Sequence, residues 1–268
     1  MTCLTDNPEL FDASWAAICA EVRESADRLR SLSHAFHVQN GEYDISLLGF
    51  DPSPEGTLKT AAQNTVAKLC SLAGRRFGAP GMPAPVNHDA MEHHWRPLIA
   101  KDLDGFRPSA VWAMLSEQYG GDKGREKALI KSGNVLVRYF GLHHQPERKR
   151  RRNRTLLSRM SYAEAGFRGG LHLSYNHSES VREASPAWRA FCDWAGIDGD
   201  VVDLFADIDK RFGYHEGSFT SRDRVEAGPI TVIIYNSKLE FLIPDDIADA
   251  LSDFCDQHST WLREQMAA

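Results

Sequence analysis

Apolar residues return at three- and four-residue steps from about Asn7 to Phe36, through Leu10, Trp15, Ile18, Cys19, Val22, Ala26, Leu29 and Leu32. That period puts them on one side of a long helix. A stripe of this length calls for a partner, and Gly56 to Arg76 offers one through Leu58, Ala62, Val66, Leu69, Cys70 and Ala73. Between the two, Tyr43 to Phe50 alternates weakly, as a short strand does, and Asp51-Pro52-Ser53-Pro54 punctuates the entry to the next helix. From Phe77 to Pro85 the residues Gly78, Pro80, Gly81, Pro83 and Pro85 interrupt regular structure, which predicts a boundary or surface loop. The break divides the chain into an N-terminal helical part, 1–80, and a second part, 86–268, either separate or continuous with it.

Three helical pieces follow: Asp89 to Lys101 around Trp95, Pro108 to Tyr119, and Asp122 to Phe140 with Leu129, Ile130, Val135, Leu136 and Tyr139 inward. Leu171 to Tyr175 alternates as a strand does. Ser185-Pro186 opens a helix through Trp194, and Gly199-Asp200 opens another through Phe212. Ile230 to Tyr235 and Leu239 to Ile243 flank Asn236-Ser237-Lys238 and read as an antiparallel hairpin with a left-handed turn. Glycine at Ser237 should then be neutral or stabilising. Pro244-Asp245-Asp246 starts a closing helix, Asp245 serving as its cap, with Ile247, Ala250, Leu251, Phe254 and Leu262 inward. The predicted fold is α+β, mainly helical, with a small antiparallel sheet contributed by the second half.

Composition leaves this picture intact. The 268 residues are 42% hydrophobic and 25% charged, close to globular averages. The start, Met1 to Asn7, has neither the basic flank nor the apolar run of a signal peptide, and the run Ile230 to Tyr235 is too short to span a bilayer. Cys3, Cys19, Cys70, Cys192 and Cys255 lie far apart with no C-x-x-C pair, which suits packing residues in a reducing compartment. A soluble cytoplasmic protein is expected.

Charge changes the picture. The net charge is −6, yet Arg138 to Arg168 carries +7, leaving −13 for the remainder. The cations are Arg138, Arg148, Lys149, Arg150, Arg151, Arg152, Arg154, Arg159 and Arg168, opposed by two acids. Such separation recruits an anion, and the preponderance of arginine favours forked contacts to phosphate. Tyr139, Phe140 and His143 stand ready to stack on bases. The alternative is a solvated loop, or a strip neutralised by the protein's own acids. Being too polar for a core, residues 148 to 152 should be replaceable by alanine without loss of fold.

Other chemistry has less support. The histidine clusters His93-His94, His143-His144 and His172 with His177 lack carboxylates or thiols at metal-site spacing, so neither metal nor cofactor is expected. Pro244-Asp245 after a strand is similar to part of a metal-dependent nuclease motif, but the further strand with an acid and a lysine is missing. There is no Walker pattern, G-x-G-x-x-G or G-x-S-x-G elbow, and no catalytic residue is assigned. Acids gather at Asp193, Asp198, Asp200, Asp203, Asp207 and Asp209, and again at Asp245, Asp246, Asp249, Asp253 and Asp256. These are solvated faces, or surfaces that dock on the arginines or on a basic host protein, Asp200, Asp203 and Asp207 being the candidate partner contacts.

Three places carry a resemblance. A helix with Trp112 and Leu115 leads to Val135-Leu136-Val137-Arg138-Tyr139-Phe140, then a His-containing turn and Pro146-Glu147 before a basic segment. A later helix spans Val202 to Phe212. The third is the hairpin Ile233 to Phe241. Over the last two thirds of the chain this order resembles an uncharacterised domain family of bacterial plasmids, integrative elements and phages, sometimes joined N-terminal to an adenine-methyltransferase-like domain. The chain departs from it in having Ser237 where glycine is usual, in its arginine run, and in lacking a methyltransferase domain. The resemblance implies a mobile-element setting and a DNA-linked or host-interaction role, and lends no catalytic residue. The function expected is nucleic-acid binding through the arginine-rich segment. The alternatives are an effector that binds a host defence or transfer protein, and an enzyme with an unrecognised site.

Overall fold

A computed structural model of the chain describes residues 7–40, 53–142, 149–151, 154–165, 170–215 and 217–260. It divides into two compact units, Met1–Arg76 with Val86–Gly120, and Phe77–Pro85 with Gly121–Ala268. The division differs from the expected break: residues 86–120 belong with the first unit and 77–85 with the second. The expected strand at Tyr43 to Phe50 lies outside the described residues.

The first unit is helical: α1 (Glu9–Asn40), α2 (Pro54–Phe77), α3 (His88–Lys101) and α4 (Pro108–Tyr119). The stripe read on α2 is the buried one, Leu58, Ala62, Val66, Leu69, Cys70 and Ala73. On α1 only part of the stripe goes inward. Trp15, Cys19 and Ala26 are buried, whereas Leu10, Ile18, Leu29 and Leu32 are exposed. Where the matching stripes pointed to α2, α1 finds its partner in α4. Phe11 packs on Trp112 with ring centroids 5.9 Å apart, and Trp15 meets Phe106 edge-on at 5.1 Å. The Asp12 carboxylate accepts from the Ser109 N–H at 2.9 Å and its hydroxyl at 2.6 Å. It thereby caps α4, whose own N-cap residue Arg107 makes no side-chain cap bond.

The second unit contains α5 (Asp122–Phe140), β1 (Lys149–Arg151), β2 (Arg154–Met160), β3 (Ala163–Ala165), β4 (Leu171–Leu173), α6 (Tyr175–Ala195), a 3-10 turn (Gly199–Asp203), α7 (Leu204–Phe212), β5 (Arg224–Ala227), β6 (Ile230–Ile234), β7 (Lys238–Ile243) and α8 (Asp245–His258). Five strands form one antiparallel sheet in the order β1-β2-β7-β6-β5, and β3 pairs with β4 separately. The fold is α+β with its sheets in the second half, as the pattern predicts. The period of two sends Leu157, Leu239, Phe241, Ile243, Ile230, Val232, Ile234, Val225 and Ala227 to one face. There they share a core with Leu136 and Phe140 of α5, Trp188 and Phe191 of α6, Phe205 of α7 and Phe254 of α8. Each large side chain buried in this way contributes about 1.5–3 kcal/mol. Cys192 and Cys255 lie in the same core, where burial pushes both thiols up to about 12 and keeps them protonated.

Three local expectations change. Pro186 does not open a helix: it sits inside α6, which starts at Tyr175. Proline gives the carbonyl of Arg182 no amide, but Val181, Ala184, Ala187, Trp188, Ala190 and Phe191 are buried on both sides of it, and that burial carries the helix through. The hairpin forms with Ile234 opposite Leu239, but its turn is not left-handed, since Arg222 is the one described non-glycine residue with positive φ. Its carbonyls are taken up instead by the chain after β2, Ser161 N–H donating to Ser237 O at 3.0 Å and Ala163 N–H to Asn236 O at 3.1 Å. Finally, Phe77–Pro85 is no free linker. Ala79 and Met82 lie in the core of the second unit, and Gly81, at φ +79°, passes so close to α6 that a Cβ there would stand 2.7 Å from Arg189 Cβ.

Candidate nucleic-acid interface

The arginine run enters the sheet. Lys149, Arg150 and Arg151 form the edge strand β1, paired with β2 so that Arg151 faces Arg154 and Lys149 faces Leu156. Charged side chains on an edge strand discourage further strands from adding to it. Alternation then splits the cations between the two faces of the sheet.

On the inner face, the Arg150 guanidinium pairs with the Asp245 carboxylate, which also accepts from Thr155 Oγ1 at 2.9 Å. Asp245 is therefore the first residue of α8 and a bridge to β1 and β2, while the N-cap position falls to Pro244. Arg159 also turns inward. Its Nη1 donates to Tyr139 O at 2.5 Å, and its guanidinium lies 4.4 Å from the centroid of the Tyr139 ring.

Tyr139 and Phe140 cannot stack on a base, because they are 4% and 1% exposed. Tyr139 meets Phe205 at 5.0 Å and Phe140 meets Phe241 at 5.2 Å. The apolar side of α5 carries both rings into the core. Burial pushes the Tyr139 phenol above its ordinary range, against the opposing pull of Arg159, so it stays neutral.

On the outer face, Arg151 reaches across β2 to Glu240 Oε2 at 2.5 Å, and Lys238 Nζ holds Oε1 at 2.6 Å. Glu240 is 5% exposed. Burial alone would raise its pKa, but Lys238, the Tyr235 hydroxyl and Arg151 outweigh that and hold the carboxyl below the usual range. Arg154 crosses β7 to donate to Thr231 Oγ1 of β6 at 3.3 Å.

Register extends this face to the far edge, where Glu240 pairs with Ile233 and Ile233 with Arg224. Lys149, Arg151, Arg154, Lys238 and Arg224 thus share one surface with Glu240 and Glu226. Lys149 and Arg224 are exposed at its two edges. Strands lie about 4.8 Å apart and same-face residues follow about 6.6 Å apart along each, which sets the spacing of these cations. Lys238 and Arg224 stand outside the arginine-rich stretch. Only the alternation Lys238-Glu240-Leu242 and Arg224-Glu226, joined to the strand order, reveals them.

Arg138, in the last turn of α5, pairs with Glu183 at 2.5 Å on the surface. Arg148, Arg152, Arg168 and His143 lie outside the described residues. Among the acids proposed as partner contacts, Asp200 and Asp207 are exposed and Asp203 pairs with Arg189 at 2.6 Å. The acid that reaches β1 on the inner face is Asp245, from the second acidic cluster. Among the described residues no three His, Cys, Asp or Glu side chains come together to hold a metal ion, and no helix is long and apolar enough to cross a membrane. Compared with protein-family models, with curated proteins and with solved structures, the chain matches none.

Proposed function

We propose that the second unit binds nucleic acid along the outer face of its five-stranded sheet. The observation that carries this reading is the gathering of Lys149, Arg151, Arg154, Lys238 and Arg224 on one surface against two carboxylates, in a chain of net charge −6. Pairing with Glu240 does not use up Arg151, whose guanidinium has five N–H donors and whose side chain is 41% exposed. Contacts of this kind fix position on a phosphate backbone without reading sequence. The resemblance to a domain family of plasmids, integrative elements and phages supports a mobile-element setting for the same activity.

The test uses the two edge cations, since neither holds the sheet together. The Lys149→Glu, Arg224→Glu double variant should melt as the parent does, yet bind labelled DNA and RNA at least tenfold more weakly, by similar factors for unrelated sequences. Asp200→Asn and Asp207→Asn should leave affinity unchanged. Binding unaltered by the double reversal would refute the proposal. If instead the Asp200 and Asp207 changes abolished capture of a host protein, the acidic surface would be the functional one.

A further inference from the structure

Among the described residues, three of the large exposed hydrophobic side chains are tyrosines, brought near one another where Tyr162 and Ser174 meet through a backbone hydrogen bond. Tyr162, Tyr175 and Tyr214 are 61%, 53% and 41% exposed. Tyr162 meets the His177 ring edge-on at 5.3 Å, Tyr175 meets Tyr214 at 5.8 Å, and Tyr214 meets His172 at 5.0 Å. The supporting structure is firm. Ser174 N–H donates to Tyr162 O at 2.9 Å, Ser174 Oγ is 2.8 Å from His177 Nδ1, and Tyr214 N–H donates to Ser178 Oγ at 3.3 Å. Burial, with Arg159 nearby, lowers the pKa of His177 against the opposing effect of Glu164, favouring a neutral ring beside Tyr162 at neutral pH.

Tyr162 continues the basic face. Along β2 the outer-face positions are Arg154, Leu156, Ser158 and Met160, and the alternation runs on, with Ser161 buried at 1% and Tyr162 exposed. The two hydrogen bonds from Ser161 and Ala163 to the β6–β7 turn hold this extension beside Lys238. A strand whose phosphates follow the cations therefore arrives at Tyr162, and the Ser174 N–H bond to Tyr162 O sets Tyr175, with Tyr214 against it, next along the surface. A duplex keeps its bases stacked on one another and offers these rings nothing, whereas an unpaired strand offers a π-face at every base.

Resting on the nucleic-acid reading above, we infer that the ligand is single-stranded nucleic acid, its phosphates on the outer face of the sheet and its bases stacked on Tyr162, Tyr175 and Tyr214.

The full chain would be titrated into a labelled oligothymidine, an oligouridine of equal length, and a duplex of that length. Tyr162→Ala, Tyr175→Ala and Tyr214→Ala should each weaken single-strand affinity about 5- to 150-fold, the span reported for removal of a base-stacking aromatic. The corresponding Phe variants should retain affinity, and weak duplex binding should be unchanged by either set. Oligothymidine and oligouridine together identify DNA or RNA as the preferred strand. Because the rings are exposed, circular dichroism and melting should match the parent. Single-strand affinity that is indifferent to all three Ala changes, or a duplex bound more tightly than either single strand, overturns the inference. In those cases a continuing response to Lys149→Glu, Arg224→Glu would leave the nucleic-acid reading standing. Failure of the parent protein to bind any of the three probes would remove both.

Discussion

Glu240 occupies a strand with neighbours on both sides, a place where an unpaired carboxylate would be costly. It is tolerated because Lys238 and Arg151 each hold one of its oxygens. Glu240→Gln should lower stability by about 1.5–3 kcal/mol in chemical denaturation, the range for hydrogen bonds to charged groups. Its folded pKa lies below the ordinary one, so its contribution should be full above the usual glutamate range and lost as pH falls through the lowered folded value. The gap in melting temperature between parent and Gln variant should accordingly close in acid. Arg151→Ala should also destabilise, though less, since Lys238 remains. This departs from the expectation that alanine throughout residues 148–152 is harmless. The arginine run announced its charge in the sequence, but nothing local showed that its partners Glu240 and Asp245 would lie about ninety residues away, at 89 and 95. The period of α5 places Tyr139 inward, as it lies, but its use for stacking on a base is excluded by Phe205 and Phe241, neighbours distant in the chain.

Elements with a strong period were legible: α2 from its stripe, the β6–β7 hairpin from two apolar runs, and α8 from Pro244-Asp245-Asp246. Elements that tertiary contacts impose were not. Lys-Arg-Arg forms a strand only because β2 offers an edge, and α6 continues past Pro186 only because both of its halves are buried. The turn between β6 and β7 supplies a test. With no positive φ at Asn236 or Ser237, glycine relieves nothing there and widens the unfolded ensemble, so Ser237→Gly should cost about 0.5–1 kcal/mol, seen as a lower melting temperature. Closer helix packing supplies another. A Cβ on Gly133 would lie 2.8 Å from His258 C and 3.0 Å from Ser259 N, both backbone atoms at the end of α8. Gly133→Ala should therefore destabilise by about 1–3 kcal/mol in urea unfolding, despite alanine's better helix propensity.

For the whole molecule, the proposed binding along the basic sheet face implies a salt dependence. If each of its five cations meets one phosphate, the slope of log affinity against log salt should be about −3.5 on single strands and about −4.5 on duplex. Lys149→Glu with Arg224→Glu should make it shallower by at least two phosphates' worth, measured by anisotropy over a salt series. A parent slope near zero would leave the face without a polyanion to bind. The path of Phe77–Pro85 bears on how this protein can be taken apart. With Ala79 and Met82 in the second core and Gly81 against α6, the chain crosses between units at three places, after residues 76, 85 and 120. The second unit is therefore discontinuous in the gene, and α3 and α4 are carried as an insertion between Pro85 and Gly121. A fragment beginning at Gly121 would lose Ala79 and Met82 from its core, and one ending at Gly120 would leave Met82 in water. A chain of residues 77–85 joined to 121–268 through a short glycine linker keeps every residue of the second unit together and would isolate the sheet's chemistry.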